Sequence, residues 1–199
     1  MIKVFYNGLL SSNVYVVYDS GEAIIIDCGA PVNDISLFVK ENDLRVKAIV
    51  LTHGHYDHVN YIEDYINEFG DASLICHSDE IKVLNDSEAN VSIYFGEGRI
   101  YNYDYSTVNE GDIITVGSLE FIVMHTPGHT PGGMCLYCEK KKLLFTGDTL
   151  FHMGYGRTDF KYGDRRLLLC SVLRLLRLDG SITFYSGHGE KAKIKDEQI

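Results

Sequence analysis

Thr52-His53-Gly54-His55-Tyr56-Asp57-His58 puts four side chains able to ligate a metal within six positions, directly after the apolar run Ala48-Ile49-Val50-Leu51. Imidazole and carboxylate together are the donors of zinc, iron and manganese sites. Histidines at i and i+2 point to opposite sides of a strand and about 200° apart on a helix, so a loop must hold His53 and His55. Gly54 gives that loop the freedom to converge both rings. A helix starting near Asp57 then aims Asp57 and His58 from its N-terminal end, where the helix dipole favours the carboxylate.

Three further segments each add one donor after a strand-like run: Thr126-Pro127-Gly128-His129-Thr130-Pro131-Gly132-Gly133, Leu144-Phe145-Thr146-Gly147-Asp148-Thr149-Leu150 and Tyr185-Ser186-Gly187-His188-Gly189. The full set is His53, His55, Asp57, His58, His129, Asp148 and His188. Seven N/O donors exceed what one tetrahedral ion needs and suit two neighbouring divalent ions if one carboxylate bridges. Zinc is the expected metal, and iron or manganese satisfies the same donors.

These motifs resemble the metallo-β-lactamase superfamily, whose hallmark is H-x-H-x-D-H followed by separate His, Asp and His motifs; the likeness runs from Asp27 to His188. Carried over by motif, the resemblance implies that His53, His55 and His129 hold one metal, that Asp57, His58 and His188 hold the other, and that Asp148 bridges. It also implies that Asp27, in Ile24-Ile25-Ile26-Asp27-Cys28-Gly29, supports the site from behind the ligands. The implied fold is α/β (α+β), a four-layer αβ/βα sandwich. Asp148 and His58 stand where lactamases of the best-known class use Cys and often have Arg, which points away from antibiotic hydrolysis. Phe145 to Phe151 with Gly156-Arg157-Thr158-Asp159-Phe160 is similar to glyoxalase II (hydroxyacylglutathione hydrolase), and also to persulfide dioxygenases, which carry a single iron. Glyoxalase II continues into a helical domain that grips glutathione, whereas this chain runs eleven residues past His188. The expectation is one hydrolase domain over 1–199 without that helical part, acting on a small thioester, with the missing helical part counting against a glutathione thioester and leaving the use of glutathione open.

Two such ions lower the pKa of a shared water towards neutrality, and Asp57 beside the resulting hydroxide orients it, so Asp57 and Asp148 are the catalytic carboxylates. A thiol with pKa near 8.5 leaves as thiolate unaided, whereas an amine needs a general acid, so a thioester or ester suits the ligand set. His152, Tyr155 and Lys161 are the nearby groups that could line the pocket or act as an acid, while Arg157 and Asp159 read as an ion pair steadying their loop. Two other functions fit the donors: an iron persulfide dioxygenase using His53, His129 and Asp148, and a metal-binding protein without turnover.

Behind these loops stand the elements that must position them. Lys3–Tyr6, Asn13–Asp19 and Glu22–Asp27 read as strands, 31–42 as a helix and Val46–Leu51 as a strand buried on both faces. Val59, Ile62, Ile66 and Phe69 form one helical stripe stopped by Gly70. Leu74–Cys76 is a strand, and Ser78 caps a helix start. Ile113–Val116, Leu119–Met124, Gly133–Cys138, Leu143–Phe145 and Ile182–Tyr185 are strand-like, and Arg165–Leu178 is a core helix with a basic outer face. The segment 85–112, with Tyr94, Tyr101, Tyr103 and Tyr105, reads as a surface excursion covering the core. His77 and His125 read as ordinary loop histidines, and Cys135 and Cys138 as thiols on opposite faces of a strand.

The 199 residues are 45% hydrophobic and carry 28 Asp and Glu against 18 Lys and Arg, a formal net charge of −10. That balance argues against nucleic acid or an anionic membrane as partner and for a small-molecule substrate, anionic or carbonyl, in a cationic metal pocket. The greasiest stretch, Leu167 to Leu178, is broken by Arg174 and Arg177, so no membrane span is expected. Cys28, Cys76 and Cys170 sit in apolar runs as free thiols, which fits a reducing cytoplasm.

Overall fold

Period-two alternation in the first strands already separates two apolar faces. Val14, Val16, Ala23 and Ile25 belong to one core cluster, while Tyr15, Val17, Ile24 and Ile26 belong to another. A sheet apolar on both faces must be covered on both, which calls for helices on one side and a second sheet on the other. A computed structural model, describing residues 1–6 and 8–197, has this arrangement.

The first sheet has strand order β1 (Ile2–Phe5), β2 (Val14–Asp19), β3 (Glu22–Ile26), β4 (Arg45–Val50), β5 (Ser73–His77) and β6 (Ser106–Val108), antiparallel as far as β3 and parallel beyond it. The second runs β12 (Ala192–Lys193), β11 (Thr183–Ser186), β10 (Leu143–Gly147), β9 (Met134–Cys138), β8 (Leu119–His125), β7 (Ile113–Val116). Only its β10–β11 pair is parallel. Ile24, Ile26 and Val50 of the first sheet meet Val116, Phe121, Val123 and Phe145 of the second in the inner core. Helices α1 (Val32–Glu41) and α3 (Ile62–Glu68) cover the outer face of the first sheet through Ile35, Val39, Ile62 and Tyr65. Helix α5 (Arg165–Leu176) covers the second through Leu168, Val172 and Leu175, its start capped by Asp164 Oδ1, which accepts from the Arg166 and Leu167 amides. The result is the four-layer αβ/βα sandwich.

Local departures from the sequence expectation have local causes. The stripe from Val59 to Phe69 is broken into α2 (Tyr56–Val59) and α3, because the Cys28 carbonyl draws the Tyr61 amide out of the helical ladder. His77, not Ser78, caps the short turn Ser78–Glu80 ahead of α4 (Ile81–Leu84): its ring Nδ1 accepts from the Asp79 amide, while Ser78 Oγ donates to Asn109. The short edge strands β6 and β12 carry too little periodicity to be read from sequence. Tyr101 is buried, and Tyr103 and Tyr105 pack on the outer core as the covering reading expects, while Tyr94 is exposed. Cys135 and Cys138 fall in different core clusters, on opposite faces of β9. No helix among the described residues is long and apolar enough to cross a membrane.

Candidate metal centre

Each donor segment follows the end of a strand, and all of them meet at one edge of the sandwich. After β4 the chain runs through a loop carrying His53 and His55 and enters α2, which has His55 at its N-cap and Asp57 in its first turn. His129 follows β8, Asp148 follows β10, and His188 follows β11. Because β10 and β11 are parallel and Gly147 pairs with Ser186, their two loops leave side by side. A Cβ on Gly187 would lie 2.1 Å from Asp148 Oδ1, so only glycine fits there. Gly54 has a different use from the one its sequence suggests. Its backbone is not left-handed, and a Cβ would crowd Leu84 at 3.0 Å and Glu80 Oε1 at 3.2 Å.

The structure brings all seven donors together. Ligating atoms of His53, His55 and His129 lie within 4.8 Å of one another, as do those of Asp57, His58 and His188, and those of His53, His58 and Asp148. Asp148 faces both outer groups: Oδ1 is 3.4 Å from His58 Nε2, and Oδ2 is 3.5 Å from His129 Nε2 and 3.6 Å from His188 Nε2.

Hydrogen bonds behind the rings fix which nitrogens face inward. His58 Nδ1 donates to Asp27 Oδ2 at 2.9 Å, and His129 Nδ1 donates to the Arg157 carbonyl at 2.7 Å. His53 Nδ1 donates to Thr52 Oγ1 at 3.1 Å, and that hydroxyl donates to Asp27 Oδ2 at 2.9 Å. The inward nitrogens then face one another: His55 Nδ1 is 2.9 Å from His129 Nε2, and His58 Nε2 is 3.2 Å from His188 Nε2. His53 Nε2 and Asp148 Oδ1 are buried with no hydrogen-bond partner among the described residues. Orphaned buried acceptors crowded among converging imidazole nitrogens are costly on their own and are satisfied by a cation among them. The donor set therefore fits metal ions.

Protonation tells the same story. Burial drives His53 and His55 well below the ordinary imidazole value, with neighbouring imidazoles pushing the same way, and burial lowers His129 against the pull of Asp148. Burial also opposes charge on His58, but Asp57, Asp148 and Asp27 outweigh it and push the ring up to about 10. His188 rises for the same reason, through Asp57 and Asp148. Asp57 resists burial and stays well below the usual carboxylate range because His58 and His188 face it. Where no metal is bound, the carboxylate-rich side draws protons instead.

Several supporting residues were not legible in the sequence. Glu80 is fully buried and bridges two donor loops, Oε1 accepting from the Gly54 amide at 2.7 Å and Oε2 from the Gly132 amide at 2.8 Å. Ser12 Oγ donates to the Asp57 carbonyl, and Asn13 Nδ2 donates to the carbonyls of Ser186 and Gly189, so the β1–β2 connection clamps both α2 and the His188 loop. Asn90 accepts the Tyr56 amide on its carbonyl and pins the 85–100 excursion to the donor loop. These are long-range partners, and nothing in their own neighbourhoods announces them. Asp27, expected from sequence, holds Thr52 and His58 as described.

A cavity of about 410 Å³ opens beside the donors, walled by Leu10, Val91, Phe95, Phe151, Tyr155 and Phe160. Of the pocket candidates, Tyr155 and Arg157 line it, but Arg157 is bound to Asp159 by two 2.6 Å contacts and lies 4.2 Å over the Phe160 ring. His152 is turned away to Glu197 at 2.9 Å, and Lys161 to Asp86 and Glu88 at 2.8 and 2.9 Å; neither lines the cavity. His77 and His125 stack on each other at 3.9 Å near Asp79. His77 Nδ1 accepts from Asp79, His125 Nε2 donates to the Pro131 carbonyl, and parallel rings cannot aim their other nitrogens at one ion.

The "Hydroxyacylglutathione hydrolase GloC" of Haemophilus influenzae is 36% identical over 90% of this chain and 86% of its own length. The BLEG-1 B3 metallo-beta-lactamase structure superposes with TM-score 0.89 at 34% identity, covering 98% of this chain and 95% of that one. TTHA1623, solved in a di-iron-bound form, superposes with TM-score 0.86 at 25% identity over 98% and 96%. The family model of the metallo-beta-lactamase superfamily matches residues 7–188, the span that contains every donor, and the chain belongs to that superfamily.

Proposed function

We propose that this protein is a binuclear, zinc-dependent hydrolase of small thioesters or related esters. The observation that carries the reading is the second donor group, Asp57, His58 and His188, set against the first with Asp148 facing both. A mononuclear iron dioxygenase built on His53, His129 and Asp148 leaves that second group of converging donors without a ligand role. When bound, the metal pair supplies hydroxide near neutral pH and polarises the substrate carbonyl. The chain's own residues do the rest. Asp57, kept ionised by His58 and His188, lies on the cavity wall, where it accepts a hydrogen bond from the attacking water and orients it. Phe151 stands edge-on to His188 and Phe160 edge-on to His55, so an aromatic ring borders each side of the centre.

Tyr155 places a phenol on the wall, and Arg157 is held by Asp159. A thiolate departs without needing a proton from any of these groups, whereas an amine needs one, so a thioester suits the site better than an amide. Five cysteines without disulfides, four of them buried, support a reducing cytoplasm as the working compartment. Metal analysis with a substrate panel tests the reading: two zinc per chain and thioester cleavage abolished by chelation are expected. One iron per chain with oxygen uptake on a persulfide, or no turnover of any thioester or ester, overturns it.

A further inference from the structure

We infer that the cavity selects thioesters whose acyl arm is neutral and apolar, aromatic or branched, with Phe95 and Leu10 as specificity-determining residues; this rests on the hydrolase reading above. Beyond the metal donors, the wall is made by Leu10, Val91, Phe95, Phe151, Phe160 and the ring of Tyr155. Among the described residues, the cation that lines it, Arg157, is already ion-paired with Asp159 and spread over Phe160. A peptide thiol such as glutathione brings two carboxylates and an ammonium, and among the described residues this wall has no free cation to receive the carboxylates. Burying them unpaired opposes binding, whereas an apolar arm gains by leaving water.

The apolar mouth is built, not slack. Leu10 and Val91 both hold left-handed backbone, φ 53° and 62°, a costly state for a branched residue that persists only where the surroundings impose it. Next to Val91, Asn90 Nδ2 donates to the carbonyls of Leu84 and Arg99, Asn90 Oδ1 accepts from the Ser92 amide, and the Asn90 carbonyl takes the Tyr56 amide. Phe95 leans on Tyr56 at 5.2 Å, yet 42% of it is exposed, and Leu10 is 62% exposed. Large apolar side chains left partly exposed at the rim of a cavity gain further burial from an apolar ligand. The covalent step is plain hydrolysis: the water oxygen bonds to the acyl carbon, the C–S bond breaks and the thiolate leaves with the electron pair, while both protons of the water pass to solvent, one on attack and one from the carboxylic acid formed.

The zinc-loaded protein should be assayed with lactoyl, acetyl, isovaleryl and phenylacetyl thioesters, each on neutral N-acetylcysteamine and on glutathione. Phenylacetyl-N-acetylcysteamine should exceed the acetyl ester by at least about tenfold in kcat/KM and exceed lactoylglutathione. Phe95→Ala should cut the phenylacetyl-to-acetyl ratio at least about fivefold, and Phe95→Leu should restore most of it. Lactoylglutathione as the preferred substrate, or a ratio indifferent to Phe95→Ala, overturns the inference. If no thioester is cleaved, the hydrolase reading falls, and calorimetry with the unreactive ketone analogue of the phenylacetyl thioester judges the cavity alone. Binding weakened at least about fivefold by Phe95→Ala then sustains the apolar site; no binding overturns it.

Discussion

The two donor groups occupy one edge of the sandwich but differ in kind. His53, His55 and His129 form an all-imidazole group, buried, uncharged and held low by desolvation. Asp57, His58 and His188 form a carboxylate-containing group nearer the surface, with both imidazoles raised. The first group is ready to receive a metal, since its lone pairs are already free. The second must release protons before it can bind one, so its occupancy depends on pH as well as on metal concentration. Behind each group sits one buried carboxylate, Asp27 for the second and Glu80 for the first. Asp27 bonds a ligand ring directly, whereas Glu80 accepts from the backbone amides of Gly54 and Gly132 and reaches no ligand ring.

Asp148 faces both groups, so its loss should have the largest effect. Asp148→Ala should empty both positions and lower activity by at least about a thousandfold, read by elemental analysis and initial rates. His188→Ala should break the symmetry: metal content falls from two to one, with the all-imidazole group still loaded. Equal metal retention in the two variants would sink the assignment of Asp148 as the shared ligand. Asp27→Asn leaves one acceptor oxygen where two serve, so His58 Nδ1–H and the Thr52 amide can no longer both be accepted; it should weaken the second position about 10- to 100-fold in chelator competition, with a smaller effect on the first through Thr52. pH separates the groups further. Because His58 is raised to about 10, its stabilisation of the metal-free fold is fully present below the ordinary imidazole value near 6.5 and is lost as pH rises through 10. Thermal melts of the metal-free protein should therefore fall across that window, and those of the loaded protein should stay flat.

The same contrast decides what could be read in advance. Four donors of the seven lie on one short segment, where spacing alone excludes strand and helix and demands a loop. The other three sit on separate loops, visible because glycine flanks each and a short apolar run precedes each. Strands β1–β5 and β7–β11 and helices α1 and α5 were legible from such runs and from hydrophobic periodicity. Glu80, Ser12, Asn13 and Asn90 were not, because each acts on backbone groups brought close only by the tertiary fold, and a lone buried polar residue carries no periodicity. His152 and Lys161 look equivalent to Tyr155 in sequence, being on the same loop, yet each has a carboxylate within 3 Å that turns it away from the cavity. Sequence proximity to a ligand reports which loop a residue is on, not which way it faces.

Glu80 offers the smallest but most discriminating test of the comparison. Burial pushes its carboxyl up to about 7, against the pull of the Gly54 and Gly132 amides, so the native state holds the proton more tightly than the unfolded chain. A raised carboxyl contributes stability that is complete below the unfolded value of 4.5 and lost as pH rises through 7; the interval is worth about 3 kcal/mol. Glu80→Gln cannot ionise, so its stability should change little over that range while the native protein's declines. It also turns an NH2 towards one of the two amides, which should lower stability below pH 5 by about 1–3 kcal/mol. Denaturant titrations at pH 4.5 and 7 measure both effects. Since the two amides belong to the loops of His53, His55 and His129, any loss of metal should fall on the all-imidazole position, a few-fold at most. A loss confined to the carboxylate-containing position instead would show that the two groups do not have separate supports, and the distinction between Asp27 and Glu80 would have to be given up.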